Sequence, residues 1–155
     1  MIDLDQCSEK EIDIDLQIPA LIPEAWVPDV TLRLILYKRL ASAIDEAALR
    51  ALKIEMIDRF GALPEPCKNL LDILQLKLLA TAWGFKKIEA NAKGGRIEFS
   101  KEHKLDPLKL MRLIQVRPHE FKLDGATRLK FFWHPEIERA NRVAAMHDVL
   151  LKLIG

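Results

Sequence analysis

At Gly84 the hydrophobic period of this chain changes. From Asp29 up to that glycine, apolar residues recur every three or four positions, whereas beyond it FKKIEAN and RIEFS alternate apolar with polar. A period near 3.6 buries one stripe of a helix, and a period of 2 buries one face of a strand. The chain must therefore combine a helical segment with hairpins, and its fold class is α+β.

The helical segment carries its own punctuation. Asp29 is placed to cap a helix running through LRLILYKRLASA, and Asp45 to cap DEAALRALKIEMIDRF, because a short acidic side chain can accept bonds from first-turn amides that lack a helical partner. In the second helix Leu49, Leu52, Met56 and Phe60 form the buried stripe. Gly61 permits the left-handed conformation that ends helices, and Pro64 or Pro66 suits a first turn that needs no amide. The third helix, CKNLLDILQLKLLATAW, is very apolar and is expected at the centre, with Gly84 ending it.

Before these helices, EIDIDLQI alternates Ile12, Ile14, Leu16 and Ile18 with polar residues and predicts a first strand. Pro19, Pro23 and Pro28 then make PALIPEAWVP a loop with buried anchors. Beyond Gly84 the expected order is a hairpin turning at AKGG, a short helix from Asp106 and Pro107 to Pro118, a second hairpin around Gly125, and a closing amphipathic helix. The resulting picture is antiparallel β-hairpins packed with a cluster of about five helices. Residues 1–10 are expected to be a flexible lead and residues 11–155 a single domain, a length sufficient for a hydrophobic core without disulfides or metals.

Composition excludes more than it suggests. Lys plus Arg number 24 against 23 Asp plus Glu, so no global basic field draws the chain to nucleic acid or to an anionic membrane. No apolar run approaches the roughly 18 residues that span a bilayer, and the acidic start lacks the features of a secretory signal. A cytoplasmic location, no membrane partner and a monomeric isolated domain are expected. Cys7 and Cys67 belong to no C-x-x-C pair and read as structural thiols.

Catalytic signatures are missing. There is no phosphate loop, no G-x-G-x-x-G after a strand, no H-E-x-x-H and no G-x-S-x-G. Gly94-Gly95 is followed by a strand rather than a helix and reads as a hairpin turn. His103, His119, His134 and His147 show no metal-ligand spacing, so no metal or cofactor is expected. Ser8, Ser42 and Ser100 sit in no nucleophile context. Cys67, at a helix start, could have a lowered thiol pKa but has no histidine or acid at motif spacing.

Two surfaces remain. Lys86, Lys87, Lys93 and Arg96 surround the first hairpin, while Lys122, Arg128 and Lys130 lie on the second near Phe132 and Trp133. Such a pattern can bind nucleic acid by phosphate contact and stacking. Glu89, Glu98, Glu102 and Glu120 interleave with these bases and favour ordinary solvated strand faces. The other surface is on the second helix, where Glu55, Asp58 and Arg59 fall in an arc of roughly 100° outside the buried stripe. Glu55 and Arg59 have the favourable acid-first spacing of four. A solvated face, an acid–base pair of Asp58 with Glu55, and half of a protein contact all fit this pattern; the residues alone support an α+β domain with a charged contact face and no announced substrate grip.

The segments IPALIP, PDVTLRLILYKRLASA, EMIDRFGALPEP, KGGRIEFS and LDGATRLKF, in this order and spacing, resemble the C-terminal domain of the bacterial transcription-repair coupling factor. The resemblance runs from about Glu11 to the end. It implies a non-catalytic piece of a longer ATP-driven DNA translocase. That family acts on RNA polymerase stalled at damaged DNA and recruits the excision-repair protein UvrA. In the family this domain docks on the N-terminal module that binds UvrA and hides that surface until polymerase is engaged. The family's contact residues, on a helix ending in E-x-x-D-R-F-G, carry over to Glu55, Asp58 and Arg59.

Overall fold

The computed structural model describes residues 12–154. The expected lead over residues 1–10, with Cys7 and Ser8, lies outside them, as does Glu11. Ten elements follow in the order β1 (Asp13–Asp15), α1 (Val30–Ala41), α2 (Glu46–Phe60), α3 (Glu65–Ala82), β2 (Phe85–Asn91), β3 (Gly94–Phe99), α4 (Pro107–Val116), β4 (Phe121–Leu123), β5 (Arg128–Phe132) and α5 (Arg139–Ile154). The described chain divides into two compact units: residues 18–78, and residues 12–17 together with 79–154.

The first unit is helical. Asp29 caps α1 by accepting from the amides of Thr31 at 2.9 Å and Leu32 at 3.4 Å, and Asp45 caps α2 by accepting from Ala48 at 2.8 Å. Both caps stand where the sequence puts them. The core joins Leu36 and Leu40 of α1, Leu49 and Met56 of α2, and Cys67 and Leu71 of α3 with Ile22 and Val27 of the proline-punctuated loop. Leu52 and Phe60, expected in the buried stripe, are half-buried and pack against this core. The loop is anchored at two points. Leu21 donates its amide to the Pro66 carbonyl at 3.1 Å, and Ile22 donates to the Tyr37 hydroxyl at 2.7 Å.

The second unit is built on a five-stranded mixed sheet in the order β1-β2-β3-β5-β4. Its apolar face lines up Ile14, Ile88, Ile97 and Leu129 by register and ends at Leu123 on edge strand β4, which is exposed. Both hairpins form as expected, but they also join each other through β3 and β5, and β1 pairs parallel to β2. The first strand is shorter than its alternation suggests. The Asp15 carboxylate accepts from the Gln17 amide at 3.0 Å, and Gln17 takes a left-handed φ of 55°, which ends the ladder.

The first hairpin turns at Ala92-Lys93, so Gly94-Gly95 is not the turn but the start of β3. A Cβ on Gly94 would lie 2.1 Å from the Phe131 carbonyl oxygen, and one on Gly95 would lie 1.9 Å from that of Glu89. These glycines serve close approach between strands. In α5 the buried Arg142 donates to the carbonyls of Leu16 at 3.0 Å, Gln17 at 3.4 Å and Ile137 at 3.2 Å, tying the helix to the end of β1. No described helix is long and apolar enough to cross a membrane.

Candidate contact site

Helix α2 presents the three charged residues singled out in the sequence. Its buried side is set by Leu49 and Met56, and Gly61, at φ 95°, ends it with an amide that donates to the Ile57 carbonyl at 2.8 Å. Asp58 and Arg59 are exposed, and Glu55 is half-buried. The common face is therefore real.

The internal pairing differs from the sequence expectation. Glu55 does form an ion pair with Arg59, but at 3.8 Å. Its principal partner is Arg39 of α1, whose guanidinium grips both carboxylate oxygens, one at 2.9 Å. A bidentate fork of this kind fixes geometry as well as charge. The Arg39 hydrogen bonds lower the Glu55 pKa below its ordinary value and raise that of Arg39. Glu55 is thus held as a carboxylate, the opposite of what a general acid at neutral pH requires. Arg39 was legible only as a basic residue in the last turn of its helix, because a contact over sixteen positions leaves no periodic trace.

Arg59 is steered elsewhere. Its guanidinium carbon lies 5.1 Å from the centroid of the Phe60 ring, and Phe60 in turn packs against Trp26 at 5.5 Å. Asp58 is different. Among the described residues no ion pair or hydrogen bond engages its carboxylate, and Ile54 and Ile57 beside it on α2 are exposed. The face therefore combines one ionised acid held by arginine, one free acid, one stacked arginine and apolar flanks. That mixture suits reversible recognition of a basic partner surface.

Cys67 corrects a sequence expectation. Its side chain is fully buried, and desolvation pushes its pKa up to about 11 rather than down. The helix start offers a weak field, and removal of the thiolate from water outweighs it. Among the described residues no cluster of three or more metal-ligating side chains occurs.

A mixed-sheet α+β chain with a charged face on one helix is the class that these observations define. The family model described as the TRCF domain matches residues 16–110. The chain is 44% identical over 150 residues to the transcription-repair-coupling factor of Escherichia coli (strain K12), covering 97% of this chain and 13% of that protein. It is 43% identical over 128 residues to the corresponding factor of Haemophilus influenzae, covering 83% of this chain and 11% of that protein. A crystal structure of the C-terminal domain of transcription-repair coupling factor shares the fold with a TM-score of 0.73 at 20% identity, covering 93% of this chain and 94% of that one. The chain belongs to the TRCF domain family.

Proposed function

We propose that residues 11–155 act as one non-catalytic, autoinhibitory domain of a longer transcription-repair coupling factor. In this reading the domain docks on the N-terminal UvrA-binding module of the same protein through Glu55, Asp58 and Arg59. Docking hides the UvrA surface until the parent, an ATP-driven DNA translocase in the cytoplasm, engages RNA polymerase stalled at damaged DNA. Release then starts nucleotide excision repair.

The observation that carries the reading is the contrast between two acids on one helix. Glu55 is committed to Arg39 and Arg59, while Asp58 stands exposed with no described partner. An acid that supports no internal contact is available for an external one. A lock of this kind must open, and exposed charge contacts provide specificity and salt sensitivity without great affinity. Opening requires that polymerase or another partner bind the released state more tightly than the locked one.

Titration of this domain against the N-terminal module, at low and high salt, tests the proposal. Wild type should bind with an affinity that falls with salt, and Asp58→Lys should weaken it roughly tenfold or more while leaving the fold intact. In the full-length parent the same change should raise UvrA binding. Equal binding by the two domains would refute the contact assignment.

A further inference from the structure

The polar face of the sheet carries a row of like charges. Arg96 of β3 stands directly opposite Lys130 of β5, and Lys130 directly opposite Lys122 of β4. Like charges facing one another across strands destabilise a sheet. The interleaving acids relieve only one end of this row, where Glu89 of β2 stands directly opposite Arg96 and interacts with it electrostatically; Lys130 and Lys122 face no acid across the strands. Glu89 is paired with Lys87 at 2.8 Å, and Glu120 with Arg117 at 3.3 Å and Lys152 at 3.4 Å. Glu98 faces Lys87 and Arg128 in the next row, and Glu102 follows the far end of β3. No described ion pair engages Arg96, Lys130 or Lys122. Neighbouring strands lie about 5 Å apart, so the three cations span about 10 Å, enough for successive phosphates.

An aromatic wall adjoins this row. Phe132 follows Lys130 by two positions on the same face, is 38% exposed, and stands opposite Gly94, which has no side chain to fill the space before the ring. The result is an open groove of about 310 Å³ among Glu89, Asn91, Lys93, Arg96, Lys130 and Phe132, in which the single carboxylate, Glu89, is paired with Lys87. Its size suits a single nucleotide unit, with a ring face to stack on and cations for the backbone. Duplex bases are already stacked on one another and cannot offer a face to Phe132. An acidic peptide would meet the cations but leave the ring unused.

We propose that this groove is a binding site for single-stranded nucleic acid, with Phe132 stacking a base and Arg96, Lys130 and Lys122 holding phosphates. The site shares no residue with the α2 contact face, so either assignment can fail alone.

Fluorescence anisotropy of the full chain with a labelled oligothymidylate of about twelve nucleotides tests it. Binding should be measurable at about 50 mM salt and should weaken steeply by about 200 mM. Phe132→Leu, which keeps apolar volume but removes the ring, should weaken binding about tenfold. Arg96→Gln with Lys130→Gln should flatten the logarithmic salt slope by about two. Lys122→Gln, on the exposed edge strand, should flatten it by about one even if the double variant fails to fold. Absence of binding at the lower salt, indifference to Phe132→Leu, or equal competition by a polyglutamate peptide would each overturn the proposal.

Discussion

The Arg39 guanidinium at the end of α1 closes on both carboxylate oxygens of Glu55 in α2. This fork joins the two helices across their connecting turn and presets the acid at one side of the proposed contact face. Arg39 therefore positions one residue of the proposed contact face, although it lies outside the helix that carries Glu55, Asp58 and Arg59.

Removal of that fork should be visible in the titration of Glu55. Its folded pKa is depressed, chiefly by the Arg39 hydrogen bonds, so the pair stabilises the fold fully above the ordinary value of 4.5. That contribution disappears as pH falls through the lower folded value. In Arg39→Ala the Glu55 carboxyl signal, followed by carbon NMR, should titrate at higher pH, closer to 4.5. The thermal midpoint at neutral pH should change little, because the pair is solvent-exposed. An unmoved Glu55 titration would show that Arg39 does not hold it in solution.

Gly95→Ala should be severe for its size. The added methyl would sit 1.9 Å from the Glu89 carbonyl oxygen and 2.7 Å from the Ala90 Cα, both in the backbone of β2. Neither can rotate away, so the strands must part. A loss of about 3 kcal/mol in urea unfolding is expected. Gly125→Ala meets nothing within 4 Å, and its effect should come only from the positive φ of 94°.

Arg142→Met should reveal the role of the buried guanidinium. Arg142 is 4% exposed and supplies donors to three carbonyls on two separated segments. Methionine keeps the length but leaves those acceptors without their donor, at a cost of about 2–4 kcal/mol. Arg142→Lys should fall between the two, since one ammonium cannot reproduce the planar fork. Equal urea midpoints for all three proteins would contradict the anchoring role.

Cys67 should be slow to react. In a Cys7→Ser background, a disulfide reagent at about pH 8 should label Cys67 only as the helical unit opens, because a thiol with a pKa of about 11 inside the core has little thiolate and no access. Rapid labelling under native conditions would show that this part of the core is loose.

Local chemistry announced much of this molecule before any contact was known. Asp29 and Asp45 cap the helices they were expected to cap, Asp106 caps the helix whose start it was expected to mark, and the strand segments expected after Gly84 become β2, β3, β4 and β5. Caps, turns and hydrophobic period act over a few residues, so they can be read in order along the chain. The exposed arc of Glu55, Asp58 and Arg59 was legible for the same reason, since helical geometry alone places them together.

Long-range decisions were not legible in this way. The parallel pairing of β1 with β2, the joining of the hairpins through β3 and β5, and the backbone contacts that demand Gly94 and Gly95 depend on segments meeting in space. So does Arg39 reaching Glu55 and leaving Asp58 without a described partner. The sequence by itself determined which segments become helix or strand and which charges face outward, because those outcomes rest on neighbours three or four residues apart. Only the tertiary structure decided which charges neutralise one another and which remain available to a partner, because that balance is set by distances between residues the chain order keeps far apart.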